Sequence, residues 1–209
     1  MLHKLLNSKL NLMSKVNNFL KNFILRIIEK ITFKTFSFKN FSHLFFLGIV
    51  IAIVVCGLDL YTKKLIFNLI DNRQITDSSS NQNYPEIKIF NFFSLVKVWN
   101  TGVSFGMFSK IKNSEIIFVI IQGGIGLALI FWLYQVKKIY IAIALGFVIG
   151  GAFGNTVDRI INGAVADFLD FYIGSYHWPA FNLADSVIFI GIMILIFDEF
   201  FINKFKKNV

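Results

Sequence analysis

The run Ile116–Tyr134, "IIFVIIQGGIGLALIFWLY", contains no charged residue, and Gln122 is its only strongly polar side chain. A stretch this long and apolar has few places to go. About 20 such residues, at ~1.5 Å each, cross the ~30 Å hydrocarbon core of a bilayer as a helix. Lipid offers the backbone no hydrogen bonds, so helix is the form the segment takes there. Three further apolar segments accompany it: Leu44–Leu58, ended by Asp59; Ile139–Phe153, Gly-rich towards "GGAFGN"; and Phe181–Phe197, with Asn182 and Asp185 near its start. The expected fold class is an all-α membrane protein with four transmembrane helices. Composition agrees, since 56% of the residues are hydrophobic and the mean hydropathy is +0.65, against roughly 45–50% apolar content in soluble domains.

The net charge of +9 reads, in so apolar a chain, as topology signals and contacts with anionic membrane lipids. No nucleic-acid recognition motif accompanies it, so nucleic acid is not an expected partner. Four spans put both termini on one side. Residues 1–43, the 137–138 turn and the tail (Lys204, Lys206, Lys207) together hold thirteen Lys and Arg, whereas the 66–115 connection plus Arg159 hold six. Cytoplasmic flanks carry the excess, so both termini are expected inside, with connections 66–115 and 156–180 outside.

Before the first span, Leu12, Val16, Phe19, Leu20, Phe23, Ile24, Ile27 and Ile31 recur at helical spacing, while Lys15, Lys21 and Arg26 mostly fall opposite. This is an N-terminal amphipathic basic helix without a signal-peptide apolar run or cleavage site, suited to the inner leaflet surface. The domain plan is an extension over 1–43, a four-helix membrane domain over 44–203 and a basic tail over 204–209. In the outer loop, "EIKIFNFFSLVKVWNTGVSFGMF" alternates enough for short strands, a small β-rich region at the outer surface, after the connector Ser78–Asn83. The single Cys56 lies in the first span and forms no intramolecular disulfide.

Polar residues inside spans are expensive, so their depth is informative. Asp59 lies sixteen residues beyond His43, about 24 Å up the first helix. Asn155 is seventeen beyond Lys138 and Asp185 thirteen before Asp198, about 26 Å and 20 Å up theirs. Three helices thus bring polar groups to the outer third of the bilayer. Each has a plainer explanation. Asp59 and Lys63 are spaced as an intrahelical ion pair, Asn182 and Asp185 as a capping box, "GNTVDR" as a turn in which Asp158 and Arg159 satisfy one another, and Asp170 as a hydrated interfacial carboxylate. Coincident caps do not require carboxylates from separate segments to share one depth, and a site does. His3, His43 and His177 are scattered, with no Cys pair or HExxH, and neither a nucleophilic G-x-S-x-G nor a phosphate-cradling loop is present. Neither a metal nor another cofactor is expected, which leaves carboxylate chemistry.

The run "GGAFGNTVDRIINGAVADFLDFY", then "FNLADSVIFIG", with "LDLYTKK" and "NTGVSFGMF" upstream, resembles the bacterial lipoprotein signal peptidases (signal peptidase II, an aspartic peptidase family) over about residues 44–203. The resemblance implies a catalytic pair at Asp167 and Asp185, with supporting or substrate-binding positions at Asp59, Lys63, Asn100, Asn155, Arg159 and Asn182. Leu60 stands where the family usually has Gln, and Ser104 where Ala is common. The implied substrates are diacylglyceryl-modified prolipoproteins cut just before the lipidated cysteine, by a monomer in the bacterial inner membrane. In such a pair one ionised and one protonated aspartate activate water without a covalent intermediate.

Two other classes fit parts of the pattern. A proton or ion translocator also carries carboxylates in its spans. Such a relay spreads ionisable groups through the bilayer, whereas here the cytoplasmic two-thirds of every span is apolar apart from Gln122. A non-catalytic scaffold accounts for the hydrophobicity and leaves the converging aspartates unexplained.

Overall fold

Ser42 starts the first of the long apolar helices. Its Oγ accepts the Phe45 N–H at 3.2 Å, which satisfies one of the donors a helix start leaves open. In the computed structural model, residues 42–76, 86–102 and 114–202 are described, with further helical positions at 9, 11, 13, 14, 17, 18, 21, 24, 25 and 28. The rest of the N-terminal amphipathic helix, the 78–83 connector, Ser104 and the 204–209 tail lie outside the described residues.

Helix α1 covers His43–Thr76, 34 residues, or about 51 Å. The apolar run ends at Asp59 but the helix does not: Lys63, one turn on, meets the Asp59 carboxylate at 2.7 Å, the intrahelical ion pair that the spacing offered. The charge is answered within the helix, so the backbone ladder continues. The outer part of α1 supports the sheet, with Phe67 packing on Ala166 and Phe168 and flanked by Ile66, Leu95 and Leu169. Helix α2 covers Ser114–Tyr134 and α3 Ile139–Asn162, nine residues beyond the apolar limit at Phe153. "GNTVDR" is therefore helix rather than turn, and Arg159 is a buried helical residue rather than part of an outer connection. Helices α1, α2 and α3 are long and apolar enough to cross a membrane. Helix α4, Leu183–Phe197, is apolar but has 15 residues, about 22 Å, and a π-helical stretch over Asp198–Ile202 follows it.

The glycines of α3 are packing surfaces. A Cβ at Gly146 would lie 2.8 Å from the Gly48 carbonyl oxygen and one at Gly150 2.6 Å from that of Ala52, both on α1. On the α4 side, a Cβ at Gly151 would meet the Ala184 oxygen at 2.7 Å, and one at Gly191 of α4 would meet the Ala144 oxygen at 2.7 Å. Small residues let backbones approach where lipid supplies no hydrophobic drive between helices. Helix α3 is accordingly the most buried of the three long helices, while Ile53, Ile120 and Phe189 keep apolar faces exposed.

Gly163, at φ 72°, caps α3 by donating its N–H to the Arg159 carbonyl, the left-handed ending that favours glycine. The chain then enters a strand, which the sequence reading did not assign. Strands β1 (Glu86–Phe90), β2 (Phe93–Asn100), β3 (Val165–Ile173) and β4 (Tyr176–His177) form an antiparallel sheet in that order. The first two realise the short strands expected of the outer loop. Leu95 pairs with Leu169 and Val98 with Asp167, so β2 carries one extra residue, a bulge. Ser42–Ile196 is one structural unit, and residues 1–41 with 197–209 form another.

Candidate active site

Asp167 and Asp170 are three apart on β3, and because side chains alternate along a strand they point to opposite faces. Asp167 is 2% exposed. Its Oδ1 accepts the Asn182 side-chain amide at 2.7 Å and its Oδ2 that of Asn100 at 3.0 Å. Asp170 is buried too, not hydrated: its Oδ2 accepts from Ser94 Oγ at 3.2 Å and meets His177 Nδ1 at 2.8 Å.

Asp185 sits in the first turn of α4. Its Oδ1 accepts from Asn155 Nδ2 at 2.9 Å and its Oδ2 from the Asn182 backbone N–H at 3.3 Å, while Asn182 Oδ1 accepts the Asp185 N–H at 3.0 Å. The capping box is real, and it is also part of the cluster. Asn182, fully buried, reaches Asp167 with its amide and Asp185 with its backbone, so one residue holds both carboxylates. Strand β3 in turn sets Asn182: the Phe168 and Leu169 N–H groups donate to the Phe181 carbonyl, and Phe181 N–H donates back to Leu169.

Beneath the pair lies a cation. Lys63 Nζ is 2.7 Å from Asp59 Oδ2, 3.2 Å from Asp158 Oδ2 and donates to Asn155 Oδ1 at 2.8 Å. An ammonium has three protons, and this one has three oxygen neighbours. Asp59 Oδ1 accepts the Ala184 N–H at 2.9 Å, tying α1 to the start of α4. Asp158 accepts the Ala166 N–H at 2.9 Å and Asn162 Nδ2 at 2.8 Å. Arg159 donates to Gln122 Oε1 at 2.8 Å, to the Gly102 carbonyl at 3.1 Å and to the Asn155 carbonyl at 3.3 Å.

All eight residues singled out in the sequence thus join one hydrogen-bonded network. Sequence reasoning missed Asp158 and Gln122. The turn reading paired Asp158 with Arg159, but on a helix Asn155 and Asp158 are three apart and share a face. That spacing was the available signal. Gln122 was visible as the lone polar residue of its span, without a partner.

Asp167 is the titratable centre on the sheet side. Burial, then the neighbouring Asp185 carboxylate, push its carboxyl up to about 7 from 3.8, against the lowering effect of the Asn100 and Asn182 hydrogen bonds. A carboxyl with that affinity holds or releases a proton near neutrality, as acid–base chemistry requires. Beside Asp185 opens an apolar groove of about 650 Å³, bordered by Trp178, Phe181, Ser186, Ile188 and Phe189. Among the described residues, no group of three or more His, Cys, Asp or Glu side chains could hold a metal ion.

The comparisons with known proteins converge on this region. Residues 51–201 match the family model described as "Signal peptidase (SPase) II". The lipoprotein signal peptidase of Anaplasma phagocytophilum is 34% identical over 150 residues, 72% of this chain and 89% of that protein. That of Francisella tularensis subsp. novicida is 36% identical over 160 residues, 74% and 92% of the two chains. A solved structure titled a bacterial membrane enzyme, at 1.9 Å resolution, superposes with a TM-score of 0.60 at 25% identity, covering 74% of this chain and 93% of that one. The matched span contains every residue of the network, from Asp59 to Asp185, and the chain belongs to the signal peptidase II family.

Proposed function

We propose that this protein is an aspartic endopeptidase of the membrane that removes signal peptides from diacylglyceryl-modified prolipoproteins, cutting just before the lipidated cysteine. The observation that carries the reading is the joint grip of Asn182 on Asp167 and Asp185. Two buried carboxyls held by neutral amides beside one another share a proton, because both cannot ionise easily in a low dielectric. The ionised member takes a proton from water as the water oxygen bonds to the scissile carbonyl carbon. The protonated member hydrogen-bonds the developing oxyanion and then delivers its proton to the leaving nitrogen as the C–N bond breaks. Asn100, Asn155 and Asn182 orient the carboxyls, Lys63 with Asp59 and Asp158 braces the floor, and Arg159 borders the substrate path. The apolar groove beside Asp185 suits the hydrocarbon of a lipidated substrate.

The same reading sets the topology. Helix α4 with the turns after it is the fourth span, both termini are cytoplasmic, and the site lies near the outer face of the inner membrane. The domains are an interfacial extension over 1–43, the membrane peptidase over 44–203 and the tail over 204–209. The enzyme acts as a monomer and needs no cofactor. Purified protein in detergent, incubated with a lipid-modified precursor peptide and a chelator, is expected to release the segment before the modified cysteine. Failure to cleave any lipidated lipobox peptide overturns the reading.

A further inference from the structure

Gln122 has no part in the scheme above, yet it is the one strongly polar side chain in an otherwise apolar span. Such residues are costly in lipid and are kept where they meet a specific partner. Here the partner is Arg159, whose Nη1 donates to Gln122 Oε1 at 2.8 Å; its alternative acceptor, the Asn155 carbonyl, is longer at 3.3 Å. The ring of Phe118, one turn earlier on α2, lies 5.2 Å from the guanidinium carbon and limits how the plane can tilt.

From that point a continuous run of hydrogen bonds leads to the reacting pair. Arg159 Nη2 donates to the Gly102 carbonyl at 3.1 Å, and Gly102 N–H donates to Asn100 Oδ1 at 3.0 Å. Asn100 Nδ2 donates to Asp167 Oδ2 at 3.0 Å. Arg159 bridges two elements that share no other hydrogen bond among these: helix α2 through Gln122, and the Asn100–Gly102 corner at the end of β2. A guanidinium is a rigid planar fork, so fixing one nitrogen fixes where the other points. The Asn100 amide can hold Asp167 in one orientation only if its own oxygen stays bound, and that oxygen is bound by the corner Arg159 secures.

We infer that Gln122 is a positioning residue for peptide hydrolysis, setting the Arg159 guanidinium and through it the Asn100 contact that aims Asp167. The inference rests on the peptidase reading proposed above. Gln122 touches neither aspartate, and its effect falls on turnover rather than on substrate capture.

The test uses the full chain in detergent with a lipidated precursor peptide, comparing wild type, Gln122→Met and Gln122→Glu. Methionine keeps the length and removes the amide oxygen, while glutamate keeps an oxygen acceptor at the same place. The expected result is a kcat lower by about tenfold in Gln122→Met, of the order of losing one hydrogen bond to a charged donor. KM is expected to stay within about twofold and the unfolding temperature unchanged, with kcat largely restored in Gln122→Glu. A further check is Arg159→Lys, in which the Gln122→Met change should have little additional effect. If wild type cleaves and Gln122→Met matches it, or loses activity only in step with unfolding, the positioning role is wrong and the peptidase reading stands. If wild type cleaves nothing, the peptidase reading falls and takes this role with it.

Discussion

Two groups of buried carboxylates lie within a few turns of each other and are treated in opposite ways. Asp59 and Asp158 converge on the Lys63 ammonium at 2.7 and 3.2 Å, while the hydrogen bonds to Asp167 and Asp185 come from amides and a backbone N–H. A direct ion pair sets charge against charge and fastens the two helices that carry it. Neutral donors orient a carboxyl without setting a full charge against it, and at Asp167 burial and the Asp185 carboxylate outweigh them, pushing it up to about 7. The first group ties helices together, and the second is the pair proposed to react, although composition and burial do not separate them.

Removing charge from each group should break the comparison most sharply. Asp167→Asn or Asp185→Asn is expected to lower kcat by about a thousandfold or more, roughly 4 kcal/mol of transition-state stabilisation, with the helical circular dichroism retained. Lys63→Met has the opposite profile. It leaves Asp59 and Asp158 buried without their cation, which costs about 3–5 kcal/mol, so unfolding in denaturing detergent should come much earlier. Adding Asp59→Asn to Lys63→Met should recover part of that loss. If Lys63→Met kept its stability and lost only activity, the division between bracing and reacting carboxylates would fail.

The helices were legible because lipid imposes length and apolarity, and Ile116–Tyr134 and Phe181–Phe197 lie within two residues of α2 and α4. Ends set by side-chain pairing were not legible. The third segment is apolar only to Phe153, yet α3 runs on to Asn162 because Asn155, Asp158 and Arg159 find partners on other elements. The Gly-rich end of the third segment was visible, but its purpose is close contact with two other helices, which a single sequence does not state. The strand at Val165–Ile173 escaped because its inner half is buried on both sides, with Val165–Phe168 all buried, so the alternation that marks a half-exposed strand is missing. Asp167 and Asp185 were singled out as a pair by the resemblance to the family's motifs; their joint attachment to Asn182 depends on β3 folding back against Phe181.

Packing around the brace offers a milder perturbation. A Cβ on Gly154 would lie 2.5 Å from Asp59 Oδ2, so Gly154→Ala must push the carboxylate off Lys63 or part α1 from α3. A loss of about 1–3 kcal/mol is expected, with activity falling in proportion to the folded fraction. Protons probe the other group. The Asp167 carboxyl binds its proton more tightly folded, at about 7, than at its ordinary 3.8. Between those values the native state holds the extra proton, so stability should decline as pH rises through the window. The unfolding temperature of wild type should therefore drop between pH 4 and pH 8, with a shallower slope in Asp167→Asn. Turnover should also decline above about pH 7 as the shared proton is lost. A wild-type slope matched by Asp167→Asn would remove Asp167 as its source.

The smallest effect belongs to the third kind of carboxylate, Asp170, one strand face away from Asp167. It accepts from Ser94 on β2 and pairs with His177 on β4, so its bonds fasten neighbouring strands and reach neither aspartate of the pair. The His177 side chain is half exposed, and water weakens a pair of that kind to about 1 kcal/mol or less. His177→Gln should accordingly shift the unfolding temperature by a few degrees at most and leave kcat within about threefold. A loss near that of Asp167→Asn would mean that the two carboxylates of "DFLD" act together. A small loss would mean that alternation along one strand separates a reacting group from a structural one only three residues away.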